Sequence, residues 1–156
     1  MDFDLERNSH FYKSLLERGV YYLENESVEI EGIKIWGSPA VPNFVGVFNY
    51  ARGSEIRRIW DMIPLHTQIL ITHGPPAGIL DKTSRGFEAG CTDLKEIVEN
   101  IQPMYHVFGH IHEAYGTLKS GLTTYVNVSF VSRQPKPNAP FEFEIIDFHS
   151  SKIETI

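Results

Sequence analysis

The stretch Ile69-Leu70-Ile71-Thr72-His73-Gly74-Pro75-Pro76 is a short apolar run that ends abruptly in a turn. A run of this length suits a β-strand better than a helix, and its nearly continuous apolar character suits a strand that is covered on both faces. The glycine and prolines that follow interrupt regular structure. We therefore predict a central strand over residues 69–72, with His73 just beyond its C-terminal end.

A second stretch repeats this arrangement further along the chain. Met104 to Phe108 predicts another strand, which leads directly into the turn Gly109-His110-Ile111-His112. Between the two strands, apolar residues recur at helical spacing from Leu94 to Ile101, Thr92 or Asp93 can cap the helix, and a proline follows it. The sequence thus predicts a strand, a helix and a strand in succession.

The remaining hydrophobic patterns add elements on both sides of this unit. Glu31-Gly32 separates two alternating runs and predicts a hairpin, and a loop with two prolines over residues 37–44 is expected to border the site. Strands and helices alternate before strands follow alone, which predicts a layered α/β sandwich. The other predicted elements are a helix containing Phe11, Leu15 and Leu16 with Gly19 as its C-cap, a helix from Ser54 to Trp60 with Ser54 as its N-cap, an extended loop over Ser132–Pro140, and strands at Val20–Leu23, Val28–Ile30, Ile33–Trp36, Gly116–Lys119, Thr123–Val128 and Phe141–Phe148.

Composition and charge limit the classes of protein to which the chain can belong. A chain of 156 residues can bury one core, so we predict a single domain over residues 1–156. The formal net charge of -6 argues against a nucleic-acid polymer or a membrane surface as partner, because both need clustered basic residues. A single cysteine, Cys91, and the lack of a spanning apolar run or a signal-peptide pattern predict a cytoplasmic protein.

Three histidines follow the predicted strands closely enough to form one site. In α/β sheets, the edge at the carboxyl ends of neighbouring strands is where ligands bind. His110 and His112 are two residues apart, so in an extended backbone both rings point to the same side, and Gly109 removes a side chain that would crowd them. His73 arrives from the other strand. Because imidazole is a common ligand of zinc, iron and manganese, we predict that these histidines bind metal.

Each histidine turn also has an interpretation that requires no metal. Histidines in turns usually hydrogen-bond to backbone or water, and His-Gly-Pro-Pro is by itself only a strand followed by a turn. The joint occurrence of the two turns, each directly after an apolar strand, favours a metal site. Other titratable residues receive structural roles: His106 as a partly buried, hydrogen-bonded strand residue, Cys91 as a packed residue near a helix start, Asp81 and Glu113 as solvated carboxylates, and His10, His66 and His149 without a ligand role.

The two histidine stretches resemble the last two motifs of the calcineurin-like metallophosphoesterases, in the same order and at matching spacing. They are Ile71-Thr72-His73-Gly74-Pro75-Pro76 and Val107-Phe108-Gly109-His110-Ile111-His112. More narrowly, Gly32 to Pro39, Phe48-Asn49 and Gly78 to Asp81 resemble the metallophosphoesterase-domain-containing (MPPED-like) branch. The resemblance covers essentially the whole chain.

This resemblance implies a fold, an activity and a set of metal ligands. It implies the C-terminal portion of an α/β/β/α sandwich, with mixed sheets flanked by helices. It also implies that a complete protein is a metal-dependent phosphoesterase, which hydrolyses phosphodiesters or monoesters, with cyclic nucleotides as one candidate substrate. In the family, the histidine of His-Gly-Pro and the first histidine of Gly-His-X-His bind one metal, and the second binds the other. By position these are His73, His110 and His112.

The chain departs from the family on its N-terminal side. The family's Asp-X-His, Gly-Asp and Gly-Asn-His motifs are absent, and Phe3-Asp4 resembles the residues just after the last of them. These motifs supply the aspartates, an asparagine and a histidine that hold the metals, and the histidine proposed to protonate the leaving group. Without a bridging carboxylate, neutral imidazoles cannot offset the repulsion between two dications, so we expect at most one divalent ion of manganese, zinc or iron.

Two functions therefore remain open. One is an enzyme that acts on a small phosphoester as part of a longer product or together with its missing N-terminal half. The other is a truncated, catalytically inactive protein with an interaction or regulatory role, through self-association or binding to the full-length form. The lost strands also predict an unpaired edge on the sheet. A purely structural domain is a third reading, in which replacing His110 and His112 has only small effects on stability.

Overall fold

The computed structural model describes residues 15–43 and 47–129. Residues 15–17 are helical, and the named elements follow them in chain order. These are β1 Glu26–Ile30, β2 Ile33–Ser38, β3 Val41–Pro42, β4 Asn49–Tyr50, α1 Ser54–Trp60, β5 Ile69–Thr72, α2 Thr92–Ile101, β6 Tyr105–Phe108, a 3-10 helix His112–Ala114, β7 Gly116–Ser120 and β8 Thr123–Asn127.

One mixed sheet of six strands organises these elements, in the order β1-β2-β5-β6-β8-β7. The four central strands run parallel to one another, whereas β1 and β7 pair antiparallel with β2 and β8. The β1–β2 hairpin turns at Glu31 and Gly32, which both have positive φ (50° and 79°) as the predicted turn requires. The α/β architecture and the neighbouring positions of β5 and β6 are confirmed.

Both helices cover the same face of the sheet and form one core with it. Strand residues Trp36, Leu70 and Phe108 are at most 1% exposed and pack with Trp60 of α1 and Leu94 of α2. The two tryptophan rings meet edge to face, with centroids 6.5 Å apart. Burying side chains of this size contributes about 1.5–3 kcal/mol each, so this core fixes the sheet against the helices.

The other face of the sheet is apolar but not buried. Side chains alternate along a strand, so the neighbours of the core residues point to this face. Ile71 is 42% exposed, and Ile35, Val107 and Val126 are only partly buried. The register places Ile71 beside Val107, and Val107 beside Val126. The sequence predicted an unpaired edge on the sheet, but each of the four parallel strands is paired on both sides. Within residues 15–43 and 47–129, it is a face of the sheet that lacks a full covering layer.

The N-terminal segment corrects one prediction and confirms another. The predicted strand Val20–Leu23 does not form, and Leu23 instead packs over Gly37 of β2. A Cβ on Gly37 would lie 2.6 Å from that of Leu23. Gly19 does end the preceding helix: the Gly19 and Val20 N–H groups donate to the carbonyls of Leu16 and Leu15, as in a Schellman motif.

Both predicted helix caps are wrong, although both helices are confirmed. Gly53, not Ser54, precedes α1, and Cys91, not Thr92 or Asp93, precedes α2. The Asp93 carboxylate instead accepts a hydrogen bond from the Gly53 N–H at 3.1 Å. The Asp93 side chain therefore connects the starts of the two helices and does not cap its own helix.

The remaining predictions divide between confirmed and undescribed parts of the chain. The strands predicted at 116–119 and 123–128 correspond to β7 and β8. Phe11, the loop Ser132–Pro140 and the strand Phe141–Phe148 lie outside the described residues. No helix in the described ranges has both the length and the apolar character needed to cross a membrane.

Candidate metal centre

Two parallel strands bring His73 and His110 to the same edge of the sheet. His73 follows β5 directly, and its N–H still pairs with the Ser38 carbonyl of β2 at 3.2 Å. Its own carbonyl accepts a hydrogen bond from the Gly109 N–H of the neighbouring turn at 3.0 Å. The backbone pairing of the strands therefore continues into the two histidine turns and holds them side by side.

The two imidazole rings are in direct contact. His73 Nε2 lies 3.0 Å from His110 Nδ1, and the ring centroids are 4.9 Å apart. Two imidazole nitrogens bound to one tetrahedral zinc ion, each about 2.0–2.1 Å from it, lie roughly 3.3 Å apart. The observed separation is close to that value. The distance between the two nitrogens is therefore compatible with their binding one metal ion, which is the pairing that the family resemblance implies.

His112 does not follow the extended geometry predicted for the Gly-His-X-His turn. His110 has φ of 73°, in the left-handed region, and the exposed His112 begins a 3-10 helix. The backbone therefore bends between the two residues. In residues 15–43 and 47–129, no group of three or more His, Cys, Asp or Glu side chains is arranged to hold a metal ion. The structure thus brings together two of the three predicted ligands.

The electrostatic environment keeps the paired rings neutral. Desolvation lowers the pKa of His73. The pKa of His110 is also lowered, first by desolvation and then by the nearby His73 and His112. A neutral imidazole has the free nitrogen lone pair that a metal needs. The site therefore favours the protonation state that is competent to bind a divalent cation.

A buried hydrogen-bonded chain lies behind the His73 turn. His106 Nε2 is 2.9 Å from Thr72 Oγ1, and that hydroxyl donates to the Gly74 carbonyl at 2.7 Å. The two bonds fix the residues on either side of His73. His106 was predicted to be partly buried and satisfied, but it is fully buried and its Nδ1 has no partner in the part of the chain described. Sequence reasoning missed this supporting role, which only strand pairing reveals.

Asn127 at the end of β8 supports the second turn in a similar way. Its side-chain amide donates to the Ile111 carbonyl at 2.9 Å and to the Leu80 carbonyl at 3.2 Å. Gly109 was predicted to leave room for the histidine rings, yet a Cβ there would instead approach Ser129 Oγ at 3.2 Å. The glycine therefore permits close contact between this turn and the chain that leaves β8.

The carboxylates predicted to be solvated behave differently from each other. Glu113 is exposed, as predicted. Asp81 is only 4% exposed, so its predicted surface role is wrong. Its Oδ2 accepts hydrogen bonds from the N–H groups of Gly78 and Gly90 at 2.9 and 3.1 Å, and these bonds replace its contacts with water. Cys91 is 1% exposed, which confirms its packing role.

The proline-containing loop predicted to border the site does so. Val41, Pro42 and Asn43 form one wall of a small cleft whose other side includes Gly74 and His110. Short parallel pairing between β3 and β4 holds this wall in place. His110 of the histidine pair lines this cleft directly.

Comparison with known proteins identifies relatives whose sequences are similar to this one. No protein-family model matches the chain. It is 44% identical over 131 residues to Metallophosphoesterase domain-containing protein 1 of Homo sapiens and of Mus musculus, covering 82% of this chain and 40% of each relative. A Caenorhabditis elegans UPF0046 protein is 38% identical over 136 residues, covering 85% of this chain and 34% of the relative.

A solved structure supports the fold independently. It aligns with a TM-score of 0.57 at 19% identity, over 76% of this chain and 50% of that one. The chain spans about two fifths or less of the length of these curated relatives. The extent and degree of identity, together with the two histidine turns, show that the chain belongs to the MPPED-like branch of the metallophosphoesterases and corresponds to a C-terminal part of its members.

Proposed function

We propose that this chain forms the histidine-bearing part of a metal-dependent phosphoesterase, and that His73 and His110 bind one divalent cation. The contact between their ring nitrogens, 3.0 Å apart, carries the proposal. His112 lies in the same turn and is proposed as the ligand that a second cation would use in the longer protein. Manganese, zinc and iron all suit a site of imidazole nitrogens.

The chemistry of the site supports hydrolysis of a phosphoester. A divalent cation bound there would polarise a phosphoryl oxygen and neutralise charge on the leaving oxygen. The Thr72 and His106 chain and the Asn127 amide restrain the turns that carry the two rings, and desolvation favours the neutral form of both rings. The proposed substrate is a small phosphodiester or monoester, with cyclic nucleotides as one candidate.

Metal binding can be tested one ligand at a time. Purified chain is treated with chelator and titrated with zinc or manganese, for wild type and for His73→Ala, His110→Ala and His112→Ala. We expect loss of either paired ring to weaken binding at least tenfold, because one remaining imidazole cannot chelate. His112→Ala should have a smaller effect. His66→Ala, an exposed histidine outside the site, is the matched control.

The same samples also test catalysis. Hydrolysis of a phosphodiester reporter is measured with added manganese, for this chain and for a chain extended by the family's upstream motifs. Metal binding that does not depend on His73 or His110 would contradict the proposed site. Activity restricted to the extended chain would show that this chain supplies ligands but not the complete reaction centre.

A second proposed function is association with another chain. Ile71 and its neighbours leave an apolar sheet face without a covering layer in the described part of the chain, and the curated relatives are more than twice as long as the match. We propose that this face packs against a further layer, which is either the N-terminal half of a family member or a second copy. In that case, the chain acts as one unit of the phosphoesterase domain.

A further inference from the structure

The lining of the cleft beside the histidine pair includes a positively charged side chain, Arg52, which has no role in the proposed metal binding. The cleft has a volume of about 160 Å³ and is lined by residues that include Asn43, Gly74, His110 and Arg52. Pockets for whole drug-sized ligands are typically about 300–1,000 Å³, so this cleft suits one small group of a ligand. Arg52 lies between β4 and α1 and comes from a different part of the chain than either histidine turn.

Arg52 is held in place by backbone carbonyls and not by acids. Its Nη1 donates to the Gly90 carbonyl at 2.8 Å, and its Nη2 donates to the Ala89 carbonyl at 3.1 Å. A guanidinium has five N–H donors, so these two bonds orient the group and leave donors for a ligand. Arg57, by contrast, has its charge paired with Asp61 and Glu96.

In the described part of the chain, the residues that line the cleft include a positive charge and no carboxylate. No Asp or Glu is among the described residues that line it, although the chain as a whole has a net charge of -6. Ion pairs within residues 15–43 and 47–129 do not include Arg52. The Glu55 and Asp93 carboxylates accept hydrogen bonds from the N–H groups of the residues on either side of Arg52, so they offset part of its charge. The exposed guanidinium is still oriented by its two carbonyl bonds, and its planar fork matches the oxygens of a phosphate.

We propose that Arg52 forms a phosphate-binding subsite in this cleft, adjacent to the His73 and His110 pair. The assignment of that phosphate to a phosphoester substrate rests on the proposed function. The subsite would hold a terminal phosphate group while the histidine-bound cation contacts the reacting one, or it would orient the reacting phosphate itself. In both cases, Arg52 contributes binding and positioning, and specificity for ligands with charged phosphate oxygens.

The test measures phosphate binding and metal binding in the same protein. Inorganic phosphate and phenyl phosphate are titrated calorimetrically into the full chain, with and without manganese. Arg52→Gln removes the charge, Arg52→Lys retains it without the fork, and Arg57→Gln removes an equal charge on α1. We expect Arg52→Gln to weaken binding of both probes about tenfold or more. The affinity of Arg52→Lys for the probes should lie between those of wild type and Arg52→Gln. The affinity of Arg57→Gln should remain within about twofold of wild type.

The possible outcomes separate this inference from the proposed function. Metal binding that depends on the histidines, combined with equal phosphate affinity in Arg52→Gln and Arg57→Gln, would overturn the subsite and leave the phosphoesterase proposal standing. Arg52-dependent phosphate binding in a chain that binds no metal would support the subsite and overturn the metal site. Wild-type protein that binds neither probe at millimolar concentration would also overturn the subsite. Stronger binding of phenyl phosphate than of free phosphate would identify an ester as the ligand.

Discussion

His106 shows how one buried residue can connect the stability of the strands to the geometry of the site. It lies fully buried between Phe108 and Tyr125, with ring centroids 5.0 and 5.8 Å away. Desolvation lowers its pKa to about 3. Because the Thr72 hydroxyl donates to the Gly74 carbonyl, the ring donates to Thr72 through Nε2–H, and protonation at Nδ1 would place an uncompensated charge in the core.

This lowered pKa predicts a loss of stability in acid. The unfolded chain takes up a proton at its normal pKa near 6.5, whereas folded His106 does so only near 3, so the unfolded state binds more protons between these values. The stability that neutral His106 contributes to the free energy of unfolding is fully present above about pH 6.5. Below that pH, the free energy of unfolding falls by up to about 1.4 kcal/mol per pH unit towards pH 3. Urea unfolding at several pH values measures this.

The matched variant for the pH experiment is His106→Gln, which removes the titrating group but keeps a polar side chain. We expect it to be less stable at pH 7 and to show a weaker pH dependence than wild type. His73 and His110 titrate in the same direction in both proteins, so the difference between the two slopes isolates His106. Identical slopes would contradict the role assigned to its burial.

The sequence predicted the positions of the histidines better than their conformations. Apolar strands followed by breakers located His73 and His110, because the ends of parallel strands meet at one edge. The left-handed backbone of His110 was not predicted, since Asn127 and Ser129, which lie next to its turn, come from the end of β8 and the chain just after it. The buried state of His106 was missed for the same reason.

At the scale of single elements, the segment between β5 and α2 is more ordered than its composition predicts. Asp81 accepts hydrogen bonds from Gly78 and Gly90, at opposite ends of the segment. The Ala89 N–H also donates to the Asp81 carbonyl at 3.0 Å. The buried Asp81 carboxylate thus orders a loop that its glycines alone would predict to be irregular.

Replacing this carboxylate should open the loop. Asp81→Ala leaves the N–H groups of Gly78 and Gly90 without their acceptor. Water can replace the bond at the exposed Gly78, whereas the unsatisfied N–H of the buried Gly90 costs about 1–3 kcal/mol. We expect a lower free energy of unfolding and faster cleavage within 78–90 by limited proteolysis. Glu88→Ala, an exposed acid in the same loop, is the control. Equal cleavage rates in the two variants would show that the carboxylate does not hold the loop.

Local sequence rules did not predict which residues cap the two helices. Ser54 and Thr92 are good capping residues, yet neither precedes its helix. Asp93 bonds to Gly53 from the other helix, so a tertiary contact takes the place of a local cap. The hairpin at Glu31-Gly32 was predicted correctly because its turn depends only on neighbouring residues.

At the scale of the whole molecule, the described residues cover one face of the sheet and leave much of the other open. On the open face, Ile71, Val107 and Val126 stand side by side, next to Gly37, over which Leu23 lies. Alternation along each strand indicated apolar positions, but sequence alone did not reveal which face the helices cover. That choice follows from contacts between α1, α2 and the sheet.

The open face predicts association of the isolated chain. We expect concentration-dependent sedimentation of wild type in analytical ultracentrifugation, because packing two such faces removes aliphatic surface from water. Ile71→Lys should shift the protein towards monomer, since it places a charge in the centre of the face. Leu65→Lys changes an apolar residue that is 74% exposed outside the sheet and should have little effect. A wild type that is monomeric at all concentrations would contradict this prediction.

The two antiparallel hairpins at the ends of the sheet also determine an order of folding. Each joins adjacent strands through a short turn, whereas the parallel pairs join strands that are separated by a helix or a hairpin. Local contacts form faster than distant ones, because less chain entropy is lost in closing them. We expect pulse-labelled hydrogen exchange to protect the hairpins before β5 and β6. The histidine pair would then be among the last features to assemble, so a nascent chain would bring the two rings side by side only after most of its sheet exists.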